Sequence, residues 1–241
     1  MHPEIHLGSY SINVYWLISY LSVLVASAYW CVQMKKIESV KNGPLIITLI
    51  IGFFVQHFGG ALFGYLYKWM YFHEEPRLAA FHLAGRYFHS AFITSLVYLC
   101  AACWWFKWPT KKALDIYAIT AMITSSLSRI GCYFEGCCIG KPAPPPWGVS
   151  FPTDPGKFLI PTQLYMFGIE TLLCLFLIQI NKVKKYNGQT FWIAVLLYSA
   201  YRFLIEFFRT NPIFFLGLTH AQVFSLLTLL IAWIVLSRRK S

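Results

Sequence analysis

Residues 113–146 read ALDIYAITAMITSSLSRIGCYFEGCCIGKPAPPP, and the fold turns on how this stretch is read. Ala113 to Leu127 is an apolar run long enough to lie mostly in a membrane. Arg129 follows it, and a guanidinium beside hydrocarbon is costly unless something anionic compensates it. Gly131, Gly136 and Gly140 then permit turns and close approaches that side chains forbid. An arginine beside a glycine-rich turn suits a phosphate group. The competing reading is a helix-to-loop junction whose arginine pairs with Glu135 or with lipid headgroups.

Outward from this stretch, composition places the whole chain in a bilayer. It is 58% hydrophobic and only 12% charged, against about 25% charged for a soluble domain. Aromatic residues make up 19%, in keeping with Trp and Tyr gathering at membrane interfaces. Seven segments approach or exceed the length needed to cross: Ile12 to Val32, Leu45 to Tyr67, Ala79 to Phe106, Ala113 to Ile130, Pro161 to Ile180, Gln189 to Phe208, and Leu218 to Leu236. Met1 to Asn13 lacks a basic leader, so the first span is expected to be retained.

The net charge of +11 is explained by position. Lys35, Lys36, Lys41, Lys107, Lys111, Lys112, Lys182, Lys184, Lys185, Arg238, Arg239 and Lys240 all lie in alternate connections or in the C-terminal tail. By the positive-inside rule the N-terminus is outside and the C-terminus inside. The charge therefore reports topology, and no nucleic-acid partner is expected. The expectation is an all-α integral membrane protein: one polytopic domain over residues 1–241, with seven spans and a long extracytoplasmic loop, 131–160. Six prolines in that loop, from Pro142 to Pro155, argue against a helix and for a folded cap.

Three groups of residues carry candidate chemistry. His82 and His89 stand two helical turns apart with Arg86 near the same face, and imidazole is the usual base near neutral pH. In YSAYRFLIEFFRTNP, Arg202, Glu206 and Arg209 at i, i+4 and i+7 line one stripe that faces protein or water. That stripe is either an internal salt bridge or a site whose unmatched arginine takes an anion. Cys132, Cys137 and Cys138 fall on the oxidising side, where a disulfide from Cys132 to either of the others is permitted. Three thiols without a neighbouring histidine fall short of a zinc signature, so no metal role is assigned.

With these residues in view, the chain resembles the bacterial prolipoprotein diacylglyceryl transferases. SRIGCYFEGCCIG is similar to the family signature, as are PTQLY and YRFLIEFFR, and FHS around His89 is similar to the motif carrying the family's histidine. The resemblance implies transfer of the diacylglyceryl group of phosphatidylglycerol to the lipobox cysteine of a preprolipoprotein in the bacterial inner membrane, releasing glycerol phosphate. It implies no metal or diffusible cofactor. His89, Arg129, Arg202 and Glu206 would be catalytic. Arg209, Tyr198, Tyr20, Gly131, Cys132, Glu135 and Gly140 would bind substrate, with Tyr15 an alternative to Tyr20. Three family polar positions differ: Cys132 stands for asparagine, Cys137 for glutamate, and Ala61 for an arginine after Gly59 and Gly60. A thiol reproduces neither an amide's two-sided hydrogen bonding nor a carboxylate's charge. A different acceptor, or lipid binding without turnover, are the readings that those differences leave open.

Overall fold

The computed structural model describes residues 4–7, 10–72, 88–151 and 155–238, without the side chains of 6–7, 60, 62–72 and 88–90. Among the described residues seven α-helices run α1 Val14–Met34, α2 Asn42–Phe72, α3 Phe88–Trp105, α4 Thr110–Glu135, α5 Thr162–Val183, α6 Gln189–Ile205 and α7 His220–Ser237. Three antiparallel two-stranded ribbons lie among the described residues: β1 (Glu4–Leu7) with β2 (Tyr10–Asn13) ahead of α1, β3 (Val149–Ser150) with β4 (Phe158–Leu159) between α4 and α5, and β5 (Ile213–Phe215) with β6 (Leu218–Thr219) between α6 and α7. The fold is thus mostly helical rather than purely so. The ribbons lie outside the helices, where short strands satisfy backbone groups that no helix reaches.

Five of these helical segments are long and apolar enough to cross a membrane: Val14–Met34, Asn42–Gly59, Thr162–Val183, Gln189–Phe208 and His220–Ser237. A shorter apolar stretch is Ala91–Trp105. Leu24 and Val25 of α1, Leu172 and Leu175 of α5, and Leu227 and Leu230 of α7 are exposed, as side chains facing lipid should be. The remaining helix, α4, is the more polar one. No residue from 113 to 140 is exposed, and Asp115, Ser126 and Arg129 of this helix pair with groups on other helices.

The chain divides into two compact units, Met1–Trp30 with Asp115–Ser241, and Cys31–Leu114. In the second, α2 packs on α3. A Cβ at Gly59 would stand 2.8 Å from Thr94 Oγ1 and Cγ2, so the two helices meet there through the bare glycine backbone. Tyr98 Oη donates to the Thr48 carbonyl at 3.1 Å. His82 and Arg86 lie outside the described residues, and so does the first part of the span read from Ala79.

In the first unit, α6 packs against both α5 and α7, with Met166, Tyr201 and Ile205 buried together. Hydroxyl pairs join neighbouring helices: Ser126 with Thr171 at 2.7 Å between α4 and α5, and Ser199 with Thr228 at 2.7 Å between α6 and α7. One end of the unit is organised by Asp115, which is fully buried. Its carboxylate accepts from Lys184 Nζ at 2.6 Å, from Gly188 N at 2.8 Å and from Phe191 N at 2.9 Å. It therefore caps α6 from another helix, taking backbone donors that Gly188 has no side chain to satisfy. Asp115→Ala is expected to cost about 3 kcal/mol, through the lost cap and the unsatisfied donors. Thermal unfolding in detergent measures this, and an unchanged midpoint would remove Asp115 from this role.

Candidate active site

The opposite end of the unit carries the charged residues, and its geometry begins where α4 stops. Gly131 does not break the helix, which continues through Cys132 to Glu135. Gly136, at φ 68°, ends it in the left-handed conformation that glycine adopts without penalty. The N–H of Gly136 returns to the Tyr133 carbonyl at 3.2 Å, and that of Cys137 to the Cys132 carbonyl at 3.1 Å. This pair of bonds is a Schellman closure. It folds the chain back so that residue 137 lies over residue 132.

The first turn of α5 holds the returning loop. Gln163 Nε2 donates to the Cys137 carbonyl and Thr162 Oγ1 to the Cys138 carbonyl, each at 2.5 Å. The three sulfurs of Cys132, Cys137 and Cys138 lie within 4.8 Å of one another, and all three are free thiols. Hydrogen bonds from Cys132 and Cys137, with Arg209 and Arg129 adding their charge, hold the Cys138 thiol far below the usual range against the cost of burial.

Three guanidinium groups and two carboxylates form the charged core. Arg129 of α4 reaches Glu170 Oε1 of α5 at 3.4 Å, and Tyr201 of α6 donates its hydroxyl to the same oxygen. Arg202 pairs with Glu206 Oε2 at 2.5 Å, and Arg209 Nε approaches that oxygen at 3.7 Å. Glu206 Oε1 accepts from Asn211 Nδ2 at 2.5 Å and from Thr219 Oγ1 at 2.9 Å. Thr219 also opens α7 with a reciprocal capping box to Gln222. Both carboxylates are fully buried, and the arginine side chains are 10–11% exposed. Three guanidiniums face two carboxylates, and Arg129 Nε and Arg209 Nε make no hydrogen bond. Such an arrangement attracts an anion that can accept from several forked donors.

Arg209 reaches this cluster by a different route from the helical stripe expected of it. The α-helix ends at Ile205, Glu206–Phe208 forms a 3-10 turn, and Arg209 is extended. Its backbone then bridges to Gly140 of the loop. Gly140 N donates to the Ile160 carbonyl at 2.9 Å, and Lys141 N to the Phe208 carbonyl at 2.8 Å. A Cβ at Gly140 would come within 2.7 Å of Phe208 O and 2.8 Å of Ile160 Cβ and Thr162 Cγ2. Gly140→Ala is therefore expected to cost about 1–3 kcal/mol of overpacking and to lower turnover by shifting Arg209. Unfolding and turnover both unchanged would sink that reading.

The other residues singled out from sequence fall in several places. Glu135 accepts from Asn13 Nδ2 at 3.1 Å, while Asn13 Oδ1 caps α1 through Trp16 N at 3.1 Å. Gly131 faces the backbone of Tyr15, whose carbonyl would stand 3.3 Å from a Cβ there. Tyr20 is exposed on α1 and stacks on Trp16. Tyr198 meets Tyr201 edge to face, with ring centroids 5.3 Å apart, and interacts electrostatically with Glu170 and the three arginines. The His89 side chain lies outside those described. Sequence reading missed Glu170 and Tyr201. Glu170 carried a usable signal, because it is the one acidic residue in an otherwise apolar span, and ionisable groups in spans are functional candidates by default.

The fold and the site define a mostly helical membrane protein with a buried cluster of three arginines and two glutamates in its first unit. The chain belongs to the prolipoprotein diacylglyceryl transferase family, whose sequence profile matches residues 4–238. It is similar to the phosphatidylglycerol-prolipoprotein diacylglyceryl transferase of Wolbachia pipientis subsp. Culex pipiens, 28% identical over 93% of this chain and 90% of the relative. The enzyme of that name from Dehalococcoides mccartyi (strain ATCC BAA-2266) is 28% identical over 94% and 88%. That of Clostridium tetani is 34% identical over 44% of each chain.

Proposed function

We propose that the chain transfers the diacylglyceryl group of phosphatidylglycerol to the lipobox cysteine of a preprolipoprotein. The acceptor thiolate attacks a glycerol carbon, the carbon-oxygen bond breaks, and the electron pair leaves on glycerol phosphate. The observation that carries this reading is the convergence of Arg129, Arg202 and Arg209 on two buried carboxylates. Arg129 and Arg202 hold the phosphate, and Arg209 assists as charge develops on the departing oxygen. Glu206 has every oxygen engaged and works by fixing two of these guanidiniums. Tyr198 and the signature residues Gly131, Cys132, Glu135 and Gly140 shape the donor's place, and Tyr20 the route of its acyl chains. His89 deprotonates the acceptor thiol.

The working topology is a single seven-span domain over residues 1–241 in the bacterial inner membrane, N-terminus out, with the loop after α4 as the outer cap and no nucleic-acid partner. Helix polarity supports it. Asn13 at the start of α1 bonds Glu135 at the end of α4, and Glu206 after α6 bonds Thr219 at the start of α7. Lys184 joins the opposite end with Asp115, as the positive-inside rule requires. Purified protein, phosphatidylglycerol and a lipobox peptide test the activity by glycerol phosphate release and peptide mass. Release coupled to a diacylglyceryl adduct is expected. Release without an adduct would move the reading to another acceptor, and saturable lipid binding without release would overturn turnover.

A further inference from the structure

We propose that Cys132, Cys137 and Cys138 form a three-thiolate site for a thiophilic divalent cation of the zinc class. The sulfurs lie within 4.8 Å of one another. Around one tetrahedral ion with zinc-sulfur bonds of about 2.3 Å, the sulfurs stand about 3.8 Å apart, so closure needs only small side-chain adjustments. Thiolate is also the ligand type that selects such ions over the harder cations.

The scaffold positions all three ligands before any ion arrives. Cys132 sits on the last turns of α4. Cys137 is returned over it by the Schellman bond to the Cys132 carbonyl. Gln163 and Thr162 pin the carbonyls of Cys137 and Cys138, and Cys138 adopts φ 62°, a conformation a residue with a side chain rarely takes. Metal sites need this kind of support beneath their ligands. Cys132 is buried and the other two are half-buried, which leaves a side for entry.

Charge argues the same way. Three thiolates and one divalent ion sum to a single negative charge, which would be costly in a buried place without compensation. Arg209 and Arg129 both act electrostatically on Cys138, and they supply it. Each thiol that binds gives its proton to solvent, and no redox partner is needed. Three protein ligands also leave a fourth tetrahedral position for water or another incoming ligand.

The test uses the full-length protein in detergent, kept reduced with a non-chelating phosphine, stripped of metal and titrated with cobalt(II) and then zinc(II). One cobalt per chain is expected, with near-ultraviolet sulfur-to-cobalt absorption that zinc abolishes, and zinc should shield the three thiols from alkylation. Cys137→Ser and Cys138→Ser should each weaken binding by more than about a hundredfold, beyond what loss of an outer-shell partner costs. Cys174→Ser, in the middle of α5, should leave it unchanged. No saturable absorption in the reduced wild type overturns the site, as does equal weakening by Cys174→Ser. Thiol shielding by zinc in native membranes, measured on the unsubstituted chain, keeps the proposal testable if the variants misfold. All of these readouts are independent of lipid transfer.

Discussion

Arg129→Met is expected to abolish phosphatidylglycerol binding and turnover together, and to destabilise the protein. The destabilisation has a local cause. Glu170 is fully buried and has Arg129 and the Tyr201 hydroxyl as its partners, so removing the guanidinium strands a buried charge. Breaking a buried pair from one side costs about 3–5 kcal/mol. Glu170→Gln breaks the pair from the other side and should cost a similar amount. The double variant, Arg129→Met with Glu170→Gln, leaves no uncompensated charge, and replacing both members of a buried pair is often neutral. It should therefore recover most of the stability.

Turnover separates a salt bridge from a phosphate clamp. If Arg129 serves only to neutralise Glu170, the double variant recovers activity along with stability. If Arg129 grips the donor phosphate, the double variant stays inactive while unfolding like the wild type, and its donor affinity stays low. Thermal unfolding, equilibrium donor binding and glycerol phosphate release on the four proteins of the cycle decide between the two. Restored turnover in the double variant would remove Arg129 from the clamp.

Much of this arrangement was written in local patterns. Apolar length marked most of the helices, and the i, i+4 spacing of Arg202 and Glu206 became a direct ion pair. Arg209 was expected on the same stripe and reaches the cluster because the helix tightens and then extends, a change of geometry that a periodicity cannot contain. The span read from Ala113 to Ile130 runs on through Gly131 to Glu135, and the chain turns at Gly136, where the backbone takes a positive φ. Once that ending is known, the C-x4-C-C spacing puts three sulfurs together, because a Schellman closure returns the sixth residue to the first. Spacing rules for zinc motifs pass over this pattern. Asp115 and Glu170 act across helices, and pairings of this kind depend on which faces meet, which the linear sequence does not state.

His89→Ala is expected to lower turnover by about 10²–10⁴-fold, the usual contribution of a positioned general base, while donor affinity changes little. The acceptor thiol explains the pH dependence and, with a few per cent thiolate at neutral pH, about thirtyfold of the loss. A free cysteine has a pKa of about 8.5, so only a few per cent is thiolate at neutral pH. A base that takes the proton during attack makes the whole population competent. Without it, the reaction depends on thiolate formed in solution, and the rate should rise about tenfold per pH unit until it levels near the thiol's own pKa. The gap between variant and parent therefore narrows in alkaline buffer. His89→Gln separates proton transfer from orientation, since glutamine keeps hydrogen bonds but accepts no proton at these pH values. If His89 only orients its partner, glutamine retains most of the activity. If it is the base, glutamine behaves as alanine does, and full activity in either variant at neutral pH would leave the reaction without the base assigned to it.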